Sequence, residues 1–283
     1  MSGTIVLTGG NGKTSSRIAK QLHDAGVPFL MTSRSPRAAP KFPTTRFDWL
    51  DDTTWEAPFQ QTSGQISAVY LVSPPVTDPL PPMSRFIDFA RARGVRRFVL
   101  LTASAIPRGG IGMGKVHDYL ASLGVEYCVL RPTWFMENFS EQQHRGTIRD
   151  EGRVYSATQD GKIPFVACED IAAMAVRALT DEKSHDTEHL VLGPELLTYD
   201  EVAKILSDTL GRPITHVKVS KEEMQAKFIA LGVPADYAPI LAAMDVAIAN
   251  GAEARLDDAV ERVTGRPPKT FKAFAEEAKQ AWL

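Results

Sequence analysis

A β-branched and aliphatic run, Thr4-Ile5-Val6-Leu7, breaks into Thr8-Gly9-Gly10-Asn11-Gly12-Lys13-Thr14-Ser15, and a helical pattern begins at once. Residues of these types at this spacing bind anions. Glycines let the backbone turn tightly and approach a phosphate, while the N–H groups of a helix's first turn point at the negative charge. Read as G-x-x-G-x-x-S, the run places Gly9, Gly12 and Ser15 in a dinucleotide-type loop. Its last position is small, as close helix–strand packing requires, but it is not Gly. Plain turn chemistry is the alternative for glycines after a strand. Gly12-Lys13-Thr14 also resembles the end of a triphosphate-binding loop. That loop needs a glycine where Leu7 stands, and no later apolar strand ends in the Asp that would hold magnesium. The triphosphatase reading is set aside, and Lys13 becomes a helper at cofactor phosphates.

The end of the second strand normally selects the dinucleotide, through an acid on the adenosine ribose hydroxyls. Here it reads Thr32-Ser33-Arg34, and residues 27–47 contain no Asp or Glu, whereas Arg34, Arg37, Lys41 and Arg46 supply positive charge. A guanidinium at this point suits a 2′-phosphate, so NADPH/NADP+ is expected over NAD, with Arg34 as the main contact. The alternative is a solvated basic loop, which Pro36, Pro40 and Pro43 favour.

In short-chain dehydrogenases, which this part resembles, a Tyr four positions before a Lys (Tyr-x-x-x-Lys) follows the fifth strand. Here Tyr119 precedes Leu123 by four positions and Lys115 precedes Tyr119 by four, so the dyad is absent and the order reversed. Tyr119 reads as a half-buried core residue and Lys115 as a surface charge, or as a neighbour of the nicotinamide ribose. Ser104 is a further possible helper or a helix cap. Reducing a ketone requires an acid or a preorganised donor for the oxygen. Reducing an iminium does not, because hydride arrives at carbon and a neutral amine leaves. No catalytic residue is assigned on this reading.

The elements that must position these groups alternate regularly. Apolar strands over residues 4–7, 28–33, 45–49, 67–72, 97–102 and 126–130 are separated by helical segments, as in βαβ units. The fold expected is α/β, a Rossmann-type doubly wound parallel sheet with a smaller, mostly helical substrate lobe. Residues 1–133 with 168–195 form the nucleotide domain, and 134–167 with 196–283 the lobe. Ligands lie at the carboxyl ends of such strands. The cofactor set is therefore Thr8, Gly9, Gly10, Asn11, Gly12, Lys13 and Thr14, then Arg34, Asp48 and Trp49, the last two beside the adenine. Val72, Ser73, Pro74, Thr102, Ala103, Pro132 and Thr133 complete it. Directly after the sixth strand, Trp134, Phe135, Met136 and Asn138 bring aromatic and apolar side chains to the same edge, and Phe165 joins them as a substrate wall. Tyr237, Ile240 and Met244 line an outer wall or pack as core.

The distal half carries less chemistry. Residues 154–156 and 163–166 read as extended, 190–192 as a returning strand, and Thr198-Tyr199-Asp200-Glu201 as a capping box. His185 and His189 share helical spacing but show no third ligand in the sequence, so no metal site is expected. Cys128 and Cys168 are the only cysteines among 283 residues and read as buried thiols. A formal net charge of −2 gives no electrostatic reason for a nucleic-acid or membrane partner. No apolar run reaches the roughly 20 residues of a membrane span. The chain reads as soluble and cytoplasmic, with a small-molecule substrate and an oligomeric state left open.

Thr8-Gly9-Gly10-x-Gly12, Arg34 and Leu130-Arg131-Pro132-x-Trp134-Phe135-Met136-Glu137-Asn138 resemble the NmrA-like atypical short-chain dehydrogenases. Phe47-Asp48-Trp49-Leu50, Tyr155-Ser156-Ala157-Thr158, Asp160-Gly161-Lys162-Ile163-Pro164-Phe165 and Val191-Leu192-Gly193-Pro194-Glu195-Leu196 are similar to the fungal festuclavine and agroclavine dehydrogenase group. The resemblance spans nearly the whole chain. It implies NADPH-dependent reduction of a tetracyclic iminium formed from chanoclavine-I aldehyde, an indole alkaloid intermediate. Two other readings stay open: a non-catalytic NADPH-sensing binding protein, and a quinone or enone reductase.

Overall fold

The computed structural model describes residues 3–36, 41–62 and 65–283. It divides into two compact units, one of Met1–Pro132 with Cys168–Val191 and one of Thr133–Ala167 with Leu192–Leu283. In chain order the elements begin β1 (Thr4–Leu7), α1 (Lys13–Asp24), β2 (Phe29–Ser33), β3 (Thr44–Arg46), α2 (Ala57–Gln61), β4 (Ile66–Leu71) and α3 (Leu80–Ala92). They continue β5 (Arg97–Leu101), α4 (Met113–Ser122), β6 (Glu126–Pro132), α5 (Glu137–Ser140), α6 (Arg145–Glu151), β7 (Arg153–Ser156), α7 (Cys168–Thr180) and β8 (Thr187–Val191). They end α8 (Tyr199–Leu210), β9 (Thr215–Lys218), α9 (Lys221–Ala230), α10 (Ala238–Ala249), α11 (Ala259–Thr264) and α12 (Phe271–Ala278).

In the first unit seven strands form one sheet in the order β3-β2-β1-β4-β5-β6-β8, parallel throughout. Strands of such a sheet are covered on both faces, which is why Phe98, Val99 and Leu100 are consecutively apolar and consecutively buried. On one face Val6, Val69, Leu71, Phe98 and Leu100 pack with Phe86 and Ile87 of α3 and Val116 and Leu120 of α4. Phe47, Trp49 and Phe86 meet edge-on at 4.8–5.3 Å between ring centroids. Such pairs contribute about 0.5–1.5 kcal/mol beyond their area burial. On the other face α1 packs against α7. Ile18 and Leu22 of the former and Ile171 and Met174 of the latter are fully buried. Strand order reverses at β1, which lies between β2 and β4, and the carboxyl ends diverge there into a ligand crevice.

β3 is shorter than the expected run over 45–49. Asp48 instead makes an antiparallel bridge with Asp51. Its carbonyl accepts from Trp55 Nε1 at 2.9 Å, which turns the chain out of the sheet. Arg97 opens β5 with a buried guanidinium. It pairs with Glu126 at 2.6 Å and donates to the Asp181 carbonyl at 2.6 Å, satisfying the end of α7.

In the second unit β7 and β9 form a two-stranded parallel sheet. α8 begins with the capping box of Thr198 and Glu201, and α9 with a second one of Ser220 and Glu223. Phe139, Phe165, Tyr199 and Phe271 centre the core. Trp282 Nε1 donates to the Phe139 carbonyl at 2.7 Å in that interior. No helix among the described residues is long and apolar enough to cross a membrane.

Candidate cofactor loop and substrate cavity

Thr8 is buried directly beyond β1. Its hydroxyl donates to the Tyr70 carbonyl and accepts from the Val72 N–H, both at 2.8 Å, so it stitches β1 to the end of β4. Ser15 Oγ donates to the Thr8 carbonyl at 2.6 Å, and the Tyr70 hydroxyl donates to Thr14 Oγ1 at 3.2 Å. Burial raises the Tyr70 phenol well above its usual range. Thr8, Thr14 and Ser15 thus support the loop from below, while Gly9, Asn11 and Gly12 stay exposed.

Two of the glycines are required by shape. Gly9 has φ +90°, and a Cβ there would lie 2.9 Å from both Ser15 Oγ and Val72 Cγ2. Gly10 has φ +56°. α1 then starts with no side-chain cap at Gly12 and no acid in its first turn. A helix start without a side-chain cap leaves its first N–H groups and positive dipole for an anion. The cradle fits a dinucleotide pyrophosphate.

Arg34 follows β2 directly and is exposed, with no carboxylate partner among the described residues. Arg46 reaches Asp51 at 3.5 Å, and Lys41 lies over the Phe42 ring. Arg37 and Pro40 lie outside the described residues. Asp48 is half-buried and its Oδ1 accepts from the Leu50 N–H at 2.9 Å. Trp49 is a core residue at 8% exposure, engaged by Phe47 and Phe86. Val72 is half-buried, Ser73 exposed and Pro74 buried in the β4–α3 connection. Thr102 and Ala103 are half-buried after β5, and Thr102 N–H donates to the Leu130 carbonyl at 2.8 Å. Ser104 is buried, its N–H donating to the Pro132 carbonyl at 2.8 Å. Pro132 ends β6. Thr133, in the other unit, donates from Oγ1 to the buried Glu253 at 3.2 Å.

Neither member of the reversed Lys–Tyr pair is placed as an acid couple. Lys115 Nζ lies 3.6 Å from Asp78, and Tyr119 donates to Asp88 at 2.7 Å. Burial, reinforced by Asp88, pushes the Tyr119 phenol up to about 12. A residue to which the sequence pattern gave no role does more at this edge. Arg131 donates to the Ser104 carbonyl at 2.7 Å and pairs with Glu188 at 2.6 Å, so it ties the β5 loop to β8. His117 of α4 stands 3.4 Å from the same Glu188, and its burial lowers the imidazole pKa. A lone arginine inside an apolar strand was the available signal.

Within the second unit a cavity of about 650 Å³ is bounded by Trp134, Asn138, Phe228, Leu231, Tyr237 and Leu241, with Gln142 and Gln143 at its polar side. Met136 and Phe165 are buried in the core instead, packed with Phe139 and Phe271. Phe135 is half-buried and bridges to Val166. Ile240 is 47% exposed and Met244 half-buried. α10, which supplies Leu241 to the cavity, also carries the buried Asp245. Asp245 Oδ2 accepts from the Ala157 N–H at 2.9 Å, and burial raises its carboxyl to about 6.

His185 and His189 stand near a third potential donor that their spacing in the sequence does not reveal. One ligand atom from each of Cys128, His185 and His189 lies within 4.8 Å of the others. Pairing of β6 with β8 brings them together, a long-range consequence that local spacing does not show.

A family model described as the NmrA-like family matches residues 114–275, and one described as NAD(P)H-binding matches residues 9–182. The chain is 48% identical over 285 residues to festuclavine synthase II of Penicillium roqueforti, covering 99% of each. It is 48% identical over 287 residues to agroclavine dehydrogenase of Claviceps fusiformis, again covering 99% of each. The Citrobacter sp. triphenylmethane reductase complexed with NADP(H) shares the fold, with a TM-score of 0.79 at 22% identity over 98% of this chain and 99% of that one. The loop on β1, the parallel sheet and these full-length similarities together make the chain a member of the NmrA-like family, an NAD(P)H-dependent oxidoreductase of the festuclavine and agroclavine dehydrogenase type.

Proposed function

We propose that the chain reduces the iminium carbon of a tetracyclic indole-alkaloid intermediate with NADPH, giving a festuclavine- or agroclavine-type amine. The observation that carries this reading is the disposition of the side chains an acid-dependent reductase would use: Lys115 turns to Asp78 and Tyr119 to Asp88. A carbonyl acceptor puts charge on oxygen and calls for a proton. An iminium is already cationic, accepts hydride with its electron pair at carbon, and becomes a neutral amine. The names of the full-length relatives at 48% identity agree with that acceptor class.

NADPH supplies the hydride when bound. The chain's own work is then binding, orientation and exclusion of water. Residues 9–12 and the start of α1 hold the pyrophosphate, with Lys13 beside it, and Arg34 meets the 2′-phosphate. Asp48, the 72–74 and 102–104 segments and Pro132 would contact the rest of the cofactor within the first unit. In the second unit Trp134, Phe228 and Tyr237 offer aromatic faces and Asn138 a polar contact for a flat cation. A cavity of about 650 Å³ falls in the usual range of small-molecule sites.

The test is incubation of the protein with NADPH and chanoclavine-I aldehyde, following the nicotinamide absorbance and identifying the product. Cofactor oxidation with formation of the tetracyclic amine is expected. Tight NADPH binding with no turnover on this or any other iminium would overturn the proposal, and turnover confined to quinones would reassign the acceptor.

A further inference from the structure

We infer that Cys128, His185 and His189 form a binding site for a borderline-soft divalent cation of the zinc type, set on the edge of the parallel sheet. The fold builds the donors onto one side. Cys128 pairs in register with Thr187 and Leu130 with His189, so Cys128 and His189 project from the same face of β6 and β8. His185 comes from the turn before β8. That turn is held by Asp186, which takes the left-handed conformation at φ +47° and accepts from Tyr127 N–H at 3.2 Å and Ser184 Oγ at 2.7 Å.

The nitrogen–nitrogen separation is that of a tetrahedral ion, and the thiol sulfur lies within 4.8 Å of a ring nitrogen of each histidine. His185 Nδ1 and His189 Nε2 are 3.1 Å apart, joined as a hydrogen bond that a shared ion would replace. Two nitrogens bound at about 2.05 Å in a tetrahedral site stand about 3.3 Å apart. The other ring nitrogen of His185 faces Asp181 Oδ2 at 3.1 Å, and Arg177 holds the second oxygen of that carboxylate at 2.9 Å. A carboxylate behind a ligating imidazole fixes its orientation and raises its basicity. Thiolate with imidazole is the donor set that zinc prefers, and three protein donors leave a fourth position for water. Cys128 is 1% exposed, whereas both histidines are partly accessible, so an ion reaches the thiol from the histidine side. Burial pushes the Cys128 thiol up to about 12, while the nearby Arg97 opposes the rise, so an ion must displace its proton. The ion would staple the turn and the edge strand onto β6.

The experiment uses the full-length chain, stripped of metal and titrated with Co²⁺ as a spectroscopic stand-in, then with Zn²⁺. One equivalent per chain is expected, with a cobalt–thiolate charge-transfer band that zinc abolishes. Saturation with zinc is expected to raise Tm by about 5 °C at a hundredfold excess over Kd. Cys128→Ser loses the band and Cys168→Ser keeps it. His189→Gln, a change at a partly accessible edge position, weakens cobalt binding at least tenfold and decides the question if Cys128→Ser does not fold. Absence of a thiolate band, a band that survives Cys128→Ser, or unchanged affinity in His189→Gln overturns the site.

Discussion

Replacing Asp245 by Asn gives a pH signature that can be worked out in advance. Asp245 sits on α10 at 2% exposure, with the Ala157 N–H as its hydrogen-bond donor and Tyr199 close by. Burial raises its carboxyl from an ordinary 3.8 to about 6, and the Ala157 bond only partly opposes this. A folded pKa above the unfolded one means that the native state holds the proton between those two values. Stability from this group is therefore full below about pH 4 and is lost as pH rises through about 6. At 1.36 kcal/mol per pKa unit the loss is about 3 kcal/mol. Asn keeps an acceptor for Ala157 and cannot ionise. Urea unfolding of both proteins from pH 4 to 8 checks this. The wild-type stability minus that of Asp245→Asn should fall by about 2.5 kcal/mol between pH 4 and 8, levelling off above about pH 7. Taking the difference cancels the exposed carboxylates, such as Glu201, whose pKa is lowered by the Thr198 N–H and which titrate with the opposite sign. A difference that is flat with pH would refute the assignment of a raised carboxyl at this position.

Other substitutions probe the remaining features. Arg34→Ala should weaken NADPH binding about 10- to 100-fold and leave NADH binding nearly unchanged, because only the former offers a 2′-phosphate; equal losses in a cofactor titration contradict the role. Gly9→Ala places a methyl 2.9 Å from Ser15 Oγ and Val72 Cγ2 at a φ of +90°. A stability loss of about 2–4 kcal/mol is expected, with NADPH affinity falling more than tenfold; normal Tm and normal affinity together would show that the loop tolerates a side chain. Trp282→Phe removes the donor to the buried Phe139 carbonyl and should cost about 1–3 kcal/mol in urea unfolding, with no change in NADPH affinity.

The alternation of apolar strands with helical stripes was legible because a parallel sheet buried on both faces forces continuous aliphatic runs such as residues 97–101. The capping box of α8 was legible because its four residues carry the whole mechanism. β9 was not, since Thr-His-Val-Lys is a partly exposed strand with no apolar run and exists only by pairing with β7. β3 ends early because a tryptophan indole captures the Asp48 carbonyl, a bond between residues seven apart that periodicity does not encode. At the candidate sites, residue type alone could not separate Trp134, which faces a cavity, from Met136 and Phe165, which lie in the core. Side-chain direction after a strand depends on the turn taken. The Cys128–His185–His189 group was hidden for a related reason: its members meet only through the register of β6 with β8.

The packing of α1 against α7 bears on how the chain is made. The two helices belong to one unit, yet residues 133–167, which belong to the other, are synthesised between them. The apolar stripe of α1, with Ile18 and Leu22, therefore waits uncovered until α7 follows about 150 residues later, roughly 10–30 s of translation. β6 waits likewise for β8. A nascent chain stopped at Pro132 would carry an incomplete sheet and a bare helical face, and it would depend on chaperones or aggregate. Completion of the first unit is thus coupled to the order of synthesis, and the helix behind the glycine loop is covered only after residues 133–167 of the second unit have been made.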